Sequence, residues 1–246
     1  MSGASPKLEW RAVEKRFDDT EVLRGLDLSV AAGCSLVIIG RSGQGKSVAI
    51  KIAAGLMRAD AGQVLIDGLA VSGLKGGEHR RLASRFGMLF QGGALFDSLS
   101  VWENVAFRLI NADRVPRAAA KARALEALDR VQIARPFTDR YPSELSGGMQ
   151  KRVGLARAMV GDPEIIFFDE PTTGLDPITG RAINALIVEQ VKNLGCTAVS
   201  ITHDLESART IGDEIALLSE GVIVWRGPSD QLEHSGNAEV DQFVRG

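Results

Sequence analysis

The chain carries Gly40-Arg41-Ser42-Gly43-Gln44-Gly45-Lys46-Ser47 between an apolar run, Ser35–Ile39, and a helical pattern from Val48 to Leu56. The glycines let the backbone bend around a phosphate chain so that its N–H groups point inward. Lys46 would reach the β- and γ-phosphates, and the Ser47 hydroxyl would bind Mg²⁺. The N-terminus of the following helix adds a favourable dipole. This strand, loop and helix predict a site for nucleotide phosphates.

The rest of the chain places this loop in an α/β fold. Short apolar runs alternate with helical patterns, which favours a largely parallel sheet flanked by helices. The predicted buried strands are Ser35–Ile39, Ile165–Phe168 and Thr197–Thr202. Two antiparallel pairs are also expected: Leu8–Phe17 with Val22–Val30, and Ile215–Leu218 with Val222–Trp225. We therefore expect a single domain over residues 1–246.

A helical segment interrupts this alternation between residues 91 and 162. Ala118, Leu125, Leu128 and Val131 follow helical spacing. Ser146 is placed to cap a second helix at its N-terminus. We expect a helical insertion over 91–162 and a core lobe that combines 1–90 with 163–246.

Composition narrows the function classes. The chain has 246 residues, of which 45% are hydrophobic and 24% charged, and its net charge is −2, so no global charge argues for nucleic acid. The two cysteines, Cys34 and Cys196, lack metal-ligand spacing and are expected to be reduced. No secretory signal and no uncharged apolar stretch of about 18 residues is recognisable, so any membrane part is expected in another chain.

Two further strand ends carry polar groups. Asp169 and Glu170 follow the apolar run 165–168, at the carboxyl end where such sheets bind ligands. Asp169 would hold Mg²⁺ through water, and Glu170 would polarise the attacking water as a general base. His203 follows the strand Thr197–Thr202 and would contact the γ-phosphate. A lone histidine is as often structural, so this role depends on the other strand ends.

A second anion-binding helix terminus begins at Ser146, in Leu145-Ser146-Gly147-Gly148-Met149. The first helical residues are glycines, so their N–H groups are approachable. The chain already has one phosphate loop. A second element makes sense if it serves the nucleotide held by another copy, with two chains facing head to tail.

These motifs together resemble those of the ABC transporter ATPases. Residues 145–149 resemble the signature LSGGQ, residues 40–47 the Walker A motif and residues 165–170 the Walker B motif. Gln91 is similar to the Q-loop glutamine, Gly174-Leu175-Asp176 to the D-loop, and His203 to the switch histidine. Met149 replaces the usual signature glutamine. The resemblance implies a P-loop NTPase (RecA-like) core, an N-terminal antiparallel β subdomain and a helical subdomain specific to the family.

The resemblance also implies roles for single residues. Phe17 would stack on adenine. Gln91 would touch Mg²⁺ or the water. Ser146, Gly147 and Gly148 would bind the γ-phosphate of the opposite chain, and Asp176 would order the dimer seam. The implied cofactors are ATP and Mg²⁺, bound between two copies of the chain.

Residues 90–105, 143–149 and 172–178 are similar to the phospholipid-transport ATPases of the MlaF and Ttg2A type. That resemblance implies an MlaE-type permease and an MCE-domain lipid-binding protein as partners, and a place on the cytoplasmic face of the inner membrane. The alternatives are the ATPase of an amino-acid importer or a lipoprotein-release system, and a regulatory module that binds ATP without hydrolysing it.

The loop after Gln91 is apolar for a surface segment. Leu95, Phe96 and Leu99 would form a docking patch for a cytoplasmic helix of the permease. The alternative is that these side chains fill the seam between two lobes.

Overall fold

A computed structural model of the chain describes residues 6–71, 74 and 76–245, with only the backbone of 79 and 80. Its contacts divide the chain into two compact units. The first unit combines Met1–Ala83 with Cys196–Gly246, and the second is Ser84–Gly195. Each unit is described below by itself.

The first unit contains an antiparallel sheet with strand order β2-β1-β4-β5. Its strands are β1 (Leu8–Phe17), β2 (Thr20–Val30), β4 (Ala61–Ile66) and β5 (Leu69–Ala70). The indole N–H of Trp10 donates to the carbonyl of Ala49 (3.0 Å), which satisfies a buried polar group. The predicted pairing of the first two strands is confirmed.

The same unit contains a second set of strands, in the order β10-β9-β3-β8. They are β3 (Ser35–Ile39), β8 (Thr197–Ile201), β9 (Glu214–Ser219) and β10 (Val222–Pro228). β3 pairs in parallel with β8 and β9, and every residue of β3 and β8 is buried. The predicted antiparallel hairpin of β9 and β10 is confirmed.

The described residues of the first unit also form four helices: α1 (Lys46–Ala53), α2 (Gly76–Ala83), α7 (Leu205–Ile211) and α8 (Ala238–Arg245). A 3₁₀ segment, Ser229–His234, precedes α8.

The second unit contains two parallel strands and four helices. The strands are β6 (Phe86–Leu89) and β7 (Ile165–Asp169). The helices are α3 (Val101–Asn111), α4 (Arg117–Arg130), α5 (Gly147–Met159) and α6 (Pro177–Leu194), with 3₁₀ turns at Arg135–Phe137 and Pro142–Glu144. α5 lies against β6 closely enough that a Cβ on Gly87 would stand 2.1 Å from the Ala158 carbonyl oxygen.

The elements between residues 91 and 162 are all helical, as expected. The contact division falls at 83/84 and 195/196, outside this segment, so the boundaries 91 and 162 stay a prediction. In the part of the chain that the structure describes, none of the helices combines the length and apolar character needed to cross a bilayer.

Candidate nucleotide site

The loop Gly40–Ser47 depends on glycine for its shape. Gly43 and Gly45 have φ of 82° and 96°, in the left-handed region that favours glycine. A Cβ on Gly45 would lie 2.9 Å from both the Cγ1 and the carbonyl oxygen of Val22. Gly45 is also the N-cap of α1 and offers no side chain to the first N–H groups of that helix. The dipole at this helix terminus favours an anion.

Lys46 is only 6% exposed. Its ammonium donates to the carbonyl oxygens of Gly40 (2.7 Å) and Arg41 (2.9 Å), which fixes a positive charge against the main chain of the loop. Ser47 follows at the second position of α1 and is half-buried. A cation and a hydroxyl are thus placed where the helix begins.

Gln44 has a contact that sequence reasoning missed. Its Oε1 accepts the N–H of Glu220 in the turn between β9 and β10. The carbonyl of Gly221 in the same turn accepts the N–H of Arg24 on β2 (3.0 Å). The loop is therefore tied to a hairpin 176 residues away, and no local sequence signal indicates that pairing.

Phe17 ends β1 with its ring 42% exposed. The Lys15 ammonium lies 5.4 Å from the ring centroid. An exposed aromatic face suits stacking on a planar base. His203 is exposed in the turn after β8, directly before Asp204, which caps α7 by accepting the N–H groups of Glu206 and Ser207.

In the second unit, β7 ends in the two predicted carboxylates. Asp169 is 6% exposed, and Glu170 is half-buried. Glu170 has a φ of 50°, an uncommon conformation for a residue with a side chain. The Thr173 hydroxyl donates to its carboxylate. Backbone and side chain of Glu170 are thus both constrained.

The predicted cap of α5 is confirmed. The Ser146 hydroxyl accepts the N–H of Met149 (3.4 Å), and Ser146 and Gly147 are exposed. A Cβ on Gly148 would lie 2.6 Å from the Thr179 methyl of α6. Asp176 caps α6, and the hydrogen bond from the Thr179 hydroxyl is the main cause that lowers the pKa of Asp176.

Lys151, which the sequence analysis did not single out, lies on α5 with 5% of its surface exposed. Its ammonium donates to the carbonyl of Gln91 and approaches that of Glu170 (3.5 Å). Burial lowers the pKa of Lys151, while the charges of Asp169 and Glu170 act in the opposite direction. Lys151 thus joins two of the predicted site residues, Gln91 and Glu170, within one unit.

The loop after Gln91 is held by α3 and α5. Asn104 exchanges hydrogen bonds with the main chain of Phe96, and Arg157 donates to the carbonyls of Gly93 and Ala94 (2.7 Å each). The Phe96 ring packs on Phe107 (centroids 4.4 Å apart), yet 42% of Phe96 is exposed.

The residues present fit a Mg-nucleotide. In the first unit, the loop combines glycines of positive φ with a fixed ammonium, which suits a polyphosphate, and the Ser47 hydroxyl is an oxygen ligand of the kind that Mg²⁺ prefers. In the second unit, the Asp169 carboxylate is another such ligand. Among the described residues there is no group of three or more His, Cys, Asp and Glu side chains that could hold a metal alone.

Comparison with known proteins agrees with this geometry. The family described as "ABC transporter" matches residues 23–173. The chain is 36% identical to the "Probable ribonucleotide transport ATP-binding protein mkl" of Mycobacterium leprae, over 97% of this chain and 69% of that protein. It is 42% identical to the "Methionine import ATP-binding protein MetN" of Rhizobium johnstonii, over 93% of this chain and 62% of that protein. This chain therefore spans about two thirds of the length of these relatives.

Two solved structures are similar over nearly their whole length. A dimeric structure of the ATP-binding cassette MJ0796 in a post-hydrolysis state, bound to ADP and Pi, has a TM-score of 0.82 and 31% identity, and covers 90% of this chain and 98% of that one. Clostridium perfringens cbiO1, part of the ABC transporter complex cbiONQ, has a TM-score of 0.84 and 28% identity, and covers 98% of this chain and 96% of that one.

Proposed function

This chain belongs to the ABC transporter family, and from that premise we propose that two copies bind Mg-ATP in composite sites, hydrolyse it, and drive a membrane permease. It is an ATP-binding subunit, an ATPase whose cofactors are ATP and Mg²⁺. The proposed part is the arrangement of the dimer, the roles of single residues, and the transported substrate.

One observation carries the composite site: the N-termini of α1 and α5 are both lined by glycine. α1 begins after Gly45 with no side-chain cap, and α5 begins with Gly147 and Gly148, of which Gly147 is exposed. Each is suited to an anion. MJ0796, which is similar over 90% of this chain, is described as dimeric. We assign residues 40–47 to the nucleotide of the same chain and residues 146–148 to that of the other.

The chemistry follows from this assignment. Lys46 and the loop N–H groups would hold the phosphates, Ser47 and Asp169 would hold Mg²⁺, and Phe17 would stack on adenine. Glu170 would accept a proton from the attacking water, oriented by Thr173. The side chains of Gln91 and His203 would contact Mg²⁺ or water and the γ-phosphate, and Asp176 would order the dimer seam.

Glu170→Gln tests the general base. The amide keeps the size of the carboxylate but cannot accept a proton, so turnover should fall at least about 100-fold while ATP binding stays. With hydrolysis blocked, Mg-ATP should hold two chains together, which the mass in solution would show. Turnover like that of the wild type would remove Glu170 from this role.

Leu95, Phe96 and Leu99 are the apolar patch that we assign to the permease, and the Phe96 ring packs on Phe107. Phe96 is 42% exposed although its ring packs on that of Phe107, and an exposed aromatic side chain suits an apolar contact with another protein. Phe96→Asp should weaken the complex with the permease by about 2 kcal/mol, roughly 30-fold, with ATP binding kept. Co-purification and thermal unfolding of one preparation measure both effects.

Phe137→Asp is the matched control, since Phe137 is 37% exposed and lies outside the patch. It should leave the complex intact. A strongly destabilised Phe96→Asp chain would support the alternative that Phe96 fills a seam. A stable one that still binds the permease would also overturn the docking role.

We propose phospholipids as the substrate, moved between the inner and outer membranes with an MlaE-type permease and an MCE-domain protein, and the cytoplasmic face of the inner membrane as the location. The support is the likeness of residues 90–105, 143–149 and 172–178 to the MlaF and Ttg2A type. The 42% identity with a methionine importer subunit supports an amino-acid importer as the second candidate.

The permease that co-purifies with the tagged chain separates these candidates. The complex, reconstituted in vesicles, should move fluorescent phospholipid with ATP and should ignore methionine. ATP hydrolysis stimulated by methionine and its binding protein would overturn the lipid assignment and leave the ATPase intact.

A further inference from the structure

We propose that Lys151 is a positioning residue for ATP hydrolysis, whose ammonium holds the main chain of Gln91 and of Glu170 together from helix α5. The inference rests on the proposed function in one respect, namely that Glu170 is the general base. Its physical content, a tether between two backbone segments, stands on contacts inside the second unit.

Burying the Lys151 ammonium costs free energy unless the charge finds partners. The side chain is 5% exposed, and lysine is seldom buried without partners. Its hydrogen-bond partners are two backbone carbonyls, those of Gln91 and Glu170. It also lies near the charges of Asp169 and Glu170, so the buried ammonium is compensated electrostatically as well.

The two carbonyls belong to Gln91 and Glu170, whose side chains must be held in place for the proposed hydrolysis. Glu170 has a φ of 50°, and such a conformation persists only where the surroundings hold it. The Thr173 hydroxyl fixes the carboxylate of Glu170, while Lys151 contacts its carbonyl. Lys151 holds Gln91 through the Gln91 backbone carbonyl, and Gln91 is exposed. Its side chain is therefore accessible to a ligand. Lys151 thus fixes the backbone positions from which the side chains of Gln91 and Glu170 extend.

α5 offers a matched control. Arg157, six residues further along, donates to the carbonyls of Gly93 and Ala94 and so also holds the loop after Gln91, without the second contact, to Glu170, that Lys151 makes. Arg152, next to Lys151, donates to the exposed side chain of Gln132 (3.2 Å). Lys151 therefore tethers both segments, Arg157 tethers one, and Arg152 makes a contact with an exposed side chain. Substituting each in turn distinguishes these three cases.

The test compares Lys151→Met, Lys151→Arg, Arg157→Met and Arg152→Met in the full-length chain. Lys151→Met should lower kcat roughly 10- to 100-fold, because a misplaced catalytic group costs that much, with KM for Mg-ATP within about threefold of the wild type. Lys151→Arg keeps the cation and should recover most of the turnover. Arg152→Met should behave as the wild type.

Amide hydrogen exchange gives a readout that does not depend on activity. Lys151→Met should speed exchange in the peptides covering 86–96 and 165–173. Arg157→Met should do so only in 86–96. If Lys151→Met does not fold, Lys151→Gln, which keeps two N–H donors, takes its place with the same expected pattern.

Three results would overturn the proposal: unchanged kcat in Lys151→Met, unchanged exchange in 165–173, or a kcat loss matched by an equal loss of ATP affinity. Activity in Glu170→Gln would instead overturn the general base and leave the exchange pattern as the test of the tether. If Glu170→Gln is inactive while Lys151→Met keeps its activity, the general base is supported and only the Lys151 proposal is wrong.

Discussion

The N-termini of α1 and α5 are both built to face an anion, but they are built differently. α1 begins after Gly45, which has no side chain to cap it, and Lys46 places an ammonium against the loop carbonyls within 2.9 Å. α5 begins after Ser146, whose hydroxyl accepts the Met149 N–H, and its first two residues are glycines. The first terminus carries a fixed cation, and the second offers N–H groups and a hydroxyl.

This difference indicates a division of labour. Hydrogen bonds from a cation to phosphate are roughly twice as strong as neutral ones, so we expect the α1 terminus to bind a nucleotide alone. A neutral terminus offers less, so the α5 terminus should matter only when another element already holds the phosphate. Binding should therefore depend on α1 and hydrolysis on both.

Lys46→Ala should give the largest effect on binding. The loss of a charged hydrogen-bonding partner is worth about 1.5–3 kcal/mol, so ATP affinity should fall roughly 10- to 100-fold. Calorimetry with Mg-ATP measures it. Lys51→Ala, at the last turn of the same helix, is the control and should bind normally. Unchanged affinity in Lys46→Ala would mean that residues 40–47 are not the phosphate site.

Ser146→Arg should show the opposite pattern. The isolated chain should bind ATP normally, while hydrolysis falls at least about tenfold because the long side chain fills the space that the other chain's γ-phosphate must enter. Ser143→Arg, on the exposed 3₁₀ turn just before, should hydrolyse ATP as the wild type does.

Mixing the two inactive variants sharpens the comparison. A dimer of Ser146→Arg with Lys46→Ala contains one site with an intact loop and an intact signature, so the mixed dimer should show up to about half of the wild-type activity. In a random 1:1 mixture about half of the dimers are mixed, so the mixture should recover up to about a quarter. If Ser146→Arg alone hydrolysed ATP normally, the head-to-tail arrangement would be wrong.

The α1 terminus could be predicted from sequence, and much of the α5 environment could not. Residues 40–47 contain their own information, because glycine, lysine and serine at fixed spacing after a strand leave few alternatives. The contacts of Gln44 with Glu220 and of Lys151 with Gln91 join residues 176 and 60 positions apart. Local spacing carries no signal for such pairs. The sequence also cannot distinguish Lys151 from a surface cation, because a buried lysine differs from an exposed one only in its three-dimensional partners.

The two glycines at the start of α5 offer the finest test. The sequence predicts that both glycines leave their N–H groups accessible to an anion, yet the structure gives the two residues different neighbours. A Cβ on Gly147 would lie 3.7 Å from the Leu175 side chain, an ordinary contact, whereas one on Gly148 would lie 2.6 Å from the Thr179 methyl. Thr179 cannot turn away freely, because its hydroxyl donates to Asp176 (2.5 Å).

Gly148→Ala should therefore destabilise the chain by roughly 1–3 kcal/mol, the usual cost of overpacking, while Gly147→Ala should be neutral or stabilising by about 0.5 kcal/mol. Denaturant unfolding of the two variants without nucleotide measures the difference. Thr179→Ser in the Gly148→Ala background removes the opposing methyl and should recover most of the loss. Equal stability of the two single variants would mean that both glycines serve the same role, which is to leave the helix terminus accessible to a phosphate. A difference that Thr179→Ser abolishes would mean that Gly148 is bare because of α6, and that Gly147 alone is bare for the ligand.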